Sequence, residues 1–122
     1  SLFSSLKKTI RFYNAYDIDV IVIGVSPVYP SNVKNIAMRE VRTKNEGERK
    51  YFIQFDEQLD IRLKAAAEGS GATYFSVHSE FCQENVCKYG NTNFLYHLDK
   101  GHFTYSGAKI VVEKLISEKA ID

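Results

Sequence analysis

The run from Ile18 to Val25 (IDVIVIGV) constrains the fold of this chain more than any other stretch of the sequence. β-branched residues fill the run almost without interruption, and Pro27 and Pro30 end it in a loop. Runs of this kind are typical of strands that are buried on both faces, as in a parallel sheet covered by helices. The sequence therefore predicts a parallel strand at the centre of an α/β fold.

The other patterns alternate between helix and strand. Apolar residues recur at steps of three and four residues in three segments, which is the spacing of an amphipathic helix. Residues 31–47 stay ambiguous, because their few apolar positions favour a short helix that Gly47 then ends. The order helix–strand–helix–strand–helix predicts parallel strands in a partial three-layer α/β/α sandwich. The predicted helices cover 2–16, 48–68 and 104–119, the predicted strands cover 18–25 and 72–77, and a long loop holds both cysteines.

Length and charge bound the classes of function. The 122 residues, 44% of them hydrophobic, suit one small domain, but two strands are too few for a sheet with two covered faces. We therefore expect residues 1–122 to be a single, incomplete domain. Either its further strands come from a segment upstream of Ser1, or this piece is unstable alone. A net charge of +1 gives little support to nucleic-acid binding. The longest apolar runs are far shorter than the roughly 18 residues of a membrane span.

Cys82 and Cys87 are the only cysteines of the sequence, and they lie in a polar, turn-rich stretch. A disulfide between them is the favoured interpretation, and it would imply an oxidising compartment. Two unrelated thiols in a reduced protein are one alternative. A structural zinc site is the other, with four ligands at approximately the usual spacing: Cys82, Cys87, His97 and His102.

One short block carries chemistry in its spacing. Asp99 precedes His102 by three residues in a loop, and the last predicted helix begins directly afterwards, with Thr104 as its N-cap. The carboxylate can then accept a hydrogen bond from one ring nitrogen of His102, while the other nitrogen stays available as a base. An aspartate that is merely solvated beside a helix start is the alternative, because an Asp-x-x-His pattern alone is short.

The sequence offers no convincing nucleophile for such a base. Gly24-Val25-Ser26 resembles the start of a nucleophile elbow, but Pro27 follows, and Val28 stands where the elbow has its second glycine. We therefore do not expect a sharp strand-to-helix turn there. His78, at the end of the second predicted strand, is a weaker candidate for contact with a substrate.

The block from Asp99 to Ala108, with its Asp-x-x-His-Phe-Thr-x-x-Gly-Ala pattern, resembles the last block of the SGNH (GDSL-like) hydrolase superfamily. The wider order of strand, long helix, short strand and two-cysteine loop is similar to the SGNH domain fused behind membrane O-acyltransferases of the acyltransferase-three family. This resemblance covers most of the chain, but its specific part is 94–108. Thr104, in place of the commoner serine, resembles the nematode-type branch of that family.

The resemblance implies a role for each residue of the block. Asp99 would orient His102, and His102 would act as a general base and then as a general acid. The family's nucleophile is a serine in a Gly-Asp-Ser block, and its oxyanion donors are a glycine and an asparagine in two later blocks; this sequence contains none of these blocks. We therefore expect them upstream of Ser1 in the same polypeptide, and we expect this chain alone to be inactive.

The parent protein is then expected to be an O-acyltransferase of the membrane. Its SGNH domain would lie on the extracellular or luminal side, in agreement with a disulfide, and would pass an acyl group from an acyl donor to a hydroxyl of a sugar or another acceptor. We expect no cofactor, no nucleic-acid partner and no membrane contact except through the parent. A secreted carbohydrate or lipid esterase, a zinc-stabilised binding module and an SGNH pseudoenzyme are the alternatives.

Overall fold

A computed structural model describes residues 1–40, 49–91 and 93–118 of the chain. Within these ranges the helices are α1 (Leu2–Asn14), α2 (Val33–Glu40), α3 (Glu57–Gly69), α4 (Val77–Phe81) and α5 (Tyr105–Ser117). The strands are β1 (Ile21–Ile23), β2 (Arg49–Phe52), β3 (Thr73–Phe75), β4 (Cys82–Gln83) and β5 (Val86–Gly90). The chain forms two compact units, Ser1–Val25 with Asp56–Val77 and Ser26–Phe55 with His78–Asp122. None of the described helices has the length and apolar character that crossing a membrane requires.

The first unit holds a parallel pair of strands. β1 and β3 pair with Ile21 opposite Thr73 and Ile23 opposite Phe75, which confirms the predicted α/β class with parallel strands. The expectation that the first strand is buried on both faces is wrong for β1, since Ile23 is 55% exposed. The reason is that, among the described residues, the sheet that contains β1 has only these two strands.

A carboxylate on α3 ties down the end of this strand pair. Asp60 accepts one hydrogen bond from the hydroxyl of Tyr74 and another, of 2.7 Å, from the hydroxyl of Ser76. Burial and then the neighbouring Asp60 raise the pKa of Tyr74, so the phenol stays protonated and keeps donating. A Cβ at Gly24 would collide with that hydroxyl, so any other residue after β1 would have to displace the Tyr74 side chain.

The second unit contains an antiparallel sheet that the sequence does not predict. β5 lies between β2 and β4, with Tyr51 and Cys82 each opposite Cys87. The helix predicted over 48–68 is therefore wrong in its first part, because Arg49–Phe52 is β2 and α3 begins only at Glu57. The apolar spacing of this segment is that of a helix, but pairing with β5, which lies far along the chain, makes it a strand.

The structure also revises the predictions for two other segments of the second unit. The long loop predicted around the cysteines is in fact the hairpin of β4 and β5. In the ambiguous segment 31–47, α2 occupies Val33–Glu40, and 41–47 lies outside the described residues. The last predicted helix is confirmed as α5, which buries Val111 and Leu115.

Tyr29 anchors the core of the second unit. Its hydroxyl donates a hydrogen bond of 2.8 Å to the backbone carbonyl of Lys88, and its ring meets Tyr89 edge-on with the centroids 6.3 Å apart. This contact joins the segment before α2 to the middle of β5. The core cluster consists of Tyr29, Val33, Ile36, Ala37, Ile53, Cys87 and Tyr89.

Candidate catalytic site

A tight turn of the main chain presents Asp99 and His102. The backbone N–H of Leu98 donates a hydrogen bond of 2.7 Å to the carbonyl oxygen of His102, and His97 pairs antiparallel with Phe103. The turn is therefore closed at its base like the end of a hairpin. The two predicted catalytic residues occupy its first and last positions.

The carboxylate of Asp99 is held by three donors from within the turn. Its Oδ1 accepts the backbone N–H groups of Gly101 and His102, each at 2.9 Å, and its Oδ2 lies 2.8 Å from Nδ1 of His102. The two backbone hydrogen bonds, followed by the imidazole, hold the pKa of Asp99 well below its usual range. The carboxylate therefore stays anionic at pH values at which an ordinary aspartate would take up a proton.

An anionic Asp99 selects the tautomer of His102. A neutral imidazole carries its proton on Nδ1 when that nitrogen faces a carboxylate, which leaves Nε2 with a lone pair. The described residues make no hydrogen bond to Nε2, and the His102 side chain is 84% exposed. The ring can therefore accept a proton from a group brought to it.

The main chain of the turn is anchored by the first residue of α2 and by the segment before that helix. The backbone N–H of Tyr29 donates 2.8 Å to the carbonyl of Lys100, and the N–H of Val33 donates 3.2 Å to the carbonyl of Asp99. Val33 is the first residue of α2, so its N–H has no partner inside its own helix. Sequence reasoning missed this support, and the sequence carries no signal that pairs these positions.

Thr104 fixes the other end of the turn to α5. Its hydroxyl donates 2.6 Å to the carbonyl of Leu95 and accepts 3.1 Å from the N–H of Gly107, so the predicted N-cap is formed. A Cβ at Gly107 would collide with the carbonyl oxygen of Tyr96 and come within 2.9 Å of the Phe103 ring. The spacing Thr-x-x-Gly is thus a packing requirement of this helix start.

His97 does not join the pair. Its side chain is fully buried, its ring lies among the rings of Tyr29, Phe81 and Phe103, and neither ring nitrogen has a hydrogen-bond partner among the described residues. Burial lowers the pKa of His97 to about 4, although Asp99 acts in the opposite direction. The ring is therefore a neutral part of the core.

The structure joins Cys82 and Cys87 in a disulfide, as the favoured interpretation of the sequence has it. The alternative zinc set of Cys82, Cys87, His97 and His102 is not formed. In the disulfide neither sulfur is a thiolate, which is the form that binds a metal. His97 is buried among aromatic rings. The histidine that lies beside the disulfide is His78, which belongs to α4 and is 8% exposed.

Ser26 has no nucleophile elbow around it. An elbow needs a helix directly after the serine, and the next helix of the described residues is α2, which begins only at Val33. Pro27, which follows the serine, is fully buried. The site therefore consists of an oriented base.

Comparisons with known proteins bear on the family and the fold of the chain. A family model described as the SGNH domain fused to AT3 domains matches residues 1–117. The fold is similar to that of the periplasmic domain of a lipopolysaccharide acetyltransferase from Salmonella ser. Paratyphi A, with a TM-score of 0.72 and 22% sequence identity. The likeness covers 97% of this chain and 49% of that one, so the chain spans about half of that structure. No curated protein matches the chain.

Proposed function

The chain belongs to the family of SGNH domains fused to AT3 domains, and on that premise we propose that it is the Asp/His-bearing part of an acyl-transferring domain. The observation that carries the proposal is the pair of Asp99 and His102, with an anionic carboxylate 2.8 Å from Nδ1 and an exposed ring. This is the orienting half of a serine triad.

In the proposed reaction, Nε2 of His102 removes the proton of a serine hydroxyl as the serine oxygen attacks the carbonyl carbon of the acyl donor. The imidazolium then gives that proton to the leaving group, and an acyl-serine remains. In the second half, Nε2 takes the proton of the acceptor hydroxyl, whose oxygen attacks the acyl-serine. The serine oxygen leaves and receives the proton back from His102, which completes the cycle.

Asp99 supports both halves of this cycle without changing its own charge. Its low pKa keeps it anionic while the ring alternates between neutral and cationic forms, so it stabilises the imidazolium each time one is made. The backbone hydrogen bonds from Gly101 and His102 keep the carboxylate in place when Nε2 is protonated.

The nucleophile in this proposal lies outside the 122 residues. The sequence has no Gly-Asp-Ser block, and the chain spans only about half of the similar periplasmic domain. We assign the serine and the oxyanion donors to other parts of the same polypeptide. By this account the 122 residues alone do not turn over an acyl donor.

The proposed acceptor is a hydroxyl of a sugar or of another molecule outside the cytoplasm. Support comes from the name of the similar structure, a periplasmic domain of an enzyme that acetylates a lipopolysaccharide. The disulfide between Cys82 and Cys87 also favours the extracellular or luminal side of a membrane, where thiols are oxidised. Fusion to an AT3 domain would attach the domain to that membrane.

The experiment uses the AT3-fused protein and replaces His102 by alanine. Mass spectrometry of the acceptor measures the O-acyl product, and we expect the variant to lose it. Lys109→Ala on the exposed face of α5 is the matched control, which should keep the activity of the wild type. Product at the wild-type level with His102→Ala would contradict the proposal, and release of free acid without acylated acceptor would make the protein an esterase.

A further inference from the structure

His78 and the two cysteines of the β4–β5 hairpin form a compact cluster of metal-ligand types. One ring nitrogen of His78 and the Sγ atoms of Cys82 and Cys87 all lie within 4.8 Å of one another. His78 precedes Cys82 by four residues, about one helical turn through α4, and the cysteines face each other across the hairpin with their Cα atoms 4.0 Å apart. Local structure alone therefore gathers the three side chains.

The cluster is ordered and largely shielded from solvent. The ring of His78 stacks on Phe55 with the centroids 3.4 Å apart and the planes 9° from parallel. His78 is 8% exposed and Cys87 is fully buried. A cleft of about 370 Å³ borders the hairpin and is lined by residues next to both cysteines, among them Phe81, Gln83, Val86 and Lys88. The cluster is therefore enclosed by packed neighbours, and an open cleft lies beside the hairpin that carries its two cysteines.

We propose that reduction of the disulfide converts this cluster into a zinc site, with the sulfurs of Cys82 and Cys87 and the imidazole of His78 as ligands. Two thiolates and an imidazole form a donor set that binds Zn²⁺ in preference to hard cations such as Mg²⁺ and Ca²⁺. A tetrahedral ion with Zn–S bonds of about 2.3 Å spaces its ligand atoms about 3.7 Å apart. The two sulfurs, which are bonded to each other in the disulfide, therefore move apart on reduction, and the His78 nitrogen already lies within 4.8 Å of both. Three protein ligands leave the fourth position to water.

The redox step balances with a dithiol as reductant. Two electrons and two protons pass from the dithiol to the protein, the sulfur–sulfur bond breaks, and the dithiol becomes a cyclic disulfide. Binding of Zn²⁺ then releases the two protons of the cysteine thiols, since the metal takes thiolates. The disulfide and the zinc site are thus exclusive states of one pair of sulfurs.

This site differs from the zinc set that the sequence suggests, because His78 replaces His97 and His102. It is also independent of the proposed acyl transfer, since it uses neither Asp99 nor His102. A failure of one proposal therefore leaves the other untouched.

Calorimetric titration of the AT3-fused protein with Zn²⁺ tests the site, first with the disulfide intact and then after reduction by a phosphine, which replaces a thiol that would compete for the metal. We expect one Zn²⁺ per reduced chain and none per oxidised chain. His78→Ala should weaken binding to the reduced chain by at least about 100-fold. His97→Phe is the matched control and should bind as the wild type does.

A second measurement covers the case in which the reduced chain unfolds. Nitrogen NMR of the histidine rings of the reduced chain should show a metal-induced shift at His78, with His97 and His102 unchanged. Equal Zn²⁺ affinity in wild type and His78→Ala, a ring shift at His97 or His102, or binding by the oxidised chain would each overturn the proposal.

Discussion

Asp99 holds His102 at two points, through Oδ1 at the backbone N–H at 2.9 Å and through Oδ2 at the ring Nδ1 at 2.8 Å. One carboxylate thus sets both the main-chain path of the turn and the tautomer of the ring. Because the two residues are three apart, the relationship is local. It depends on the turn and not on the rest of the core.

The first prediction concerns the tautomer. In Asp99→Asn an amide NH₂ can face Nδ1, which then accepts a hydrogen bond and moves the ring proton to Nε2. We expect nitrogen NMR of the neutral ring to show the His102 proton on Nε2 in the variant and on Nδ1 in the wild type. In the proposed transfer reaction, the rate should fall about 10⁴-fold, as it does when other triads lose this carboxylate.

Asp56→Asn is the control for that measurement. Asp56 caps α3 through the N–H of Leu59 and lies in the first unit, so its replacement should leave the His102 ring unchanged. A wild-type ring that already carries its proton on Nε2 would contradict the assigned role of Asp99.

The second prediction concerns acid sensitivity. The pKa of His97 is 6.5 when exposed and about 4 in the fold, so the unfolded chain binds a proton that the folded chain does not. The free energy of unfolding should therefore fall as pH drops from about 6.5 to about 4, by about 3 kcal/mol in all. The stabilisation that Asp99 provides is lost at still lower pH, since its folded pKa lies below the exposed value of 3.8 and the carboxylate must take up a proton there.

Urea unfolding at a series of pH values measures this effect. His97→Phe should remove the decline between pH 6.5 and 4, because a neutral ring of similar size fills the same aromatic surroundings. His102→Ala should keep the decline, since that side chain is exposed. An unchanged slope in His97→Phe would show that another group carries the acid sensitivity.

The third prediction concerns the start of α5. Gly107→Ala should lower the free energy of unfolding by about 1–3 kcal/mol, because the new methyl group meets the Tyr96 carbonyl and the Phe103 ring. Gly69→Ala on α3 is the matched control, with nothing within 4 Å of its Cβ. We expect thermal unfolding to show the control as neutral or slightly stabilised, and equal losses in both variants would contradict the packing argument.

The fourth prediction separates the contribution of the Thr104 hydroxyl from the contribution of the side chain's volume. Thr104→Val keeps the volume but removes both the hydrogen bond to Leu95 and the cap on Gly107, so stability should fall by about 1–2 kcal/mol. Thr104→Ser retains the hydroxyl and should stay within about 0.5 kcal/mol of the wild type. A serine variant that is as destabilised as the valine variant in chemical denaturation would show that the methyl group matters as much as the hydroxyl, which would contradict this prediction.

Local patterns predicted much of this structure. The β-branched run, the spacing of α1 and α5, the N-cap at Thr104 and the Asp-x-x-His pair all depend on neighbours within a few residues. Segments that depend on distant partners were not predicted. Arg49–Phe52 shares the spacing of a helix face with α3, and only its pairing with β5 makes it a strand.

In the candidate site, too, contacts between residues close in sequence were predictable, and contacts between distant segments were not. The Asp99–His102 hydrogen bond follows from a spacing of three residues, and the Cys82–Cys87 bridge from a spacing of five. The anchoring of the turn by Tyr29 and Val33, and the stacking of His78 on Phe55, join segments that are far apart in sequence. Side-chain types at these positions carry no mark of their partners, so one sequence read alone does not pair them.

The two backbone hydrogen bonds from Tyr29 and Val33 to the turn have a consequence for the order of folding. They close a loop that includes most of the chain, and the chain loses the conformational entropy of that loop before the two hydrogen bonds can form. The Asp99–His102 pair can form early and repeatedly, whereas its position relative to the core is fixed only late. In a chain that is still folding, Asp99 therefore orients the imidazole of His102 before the position of that ring relative to the core is fixed.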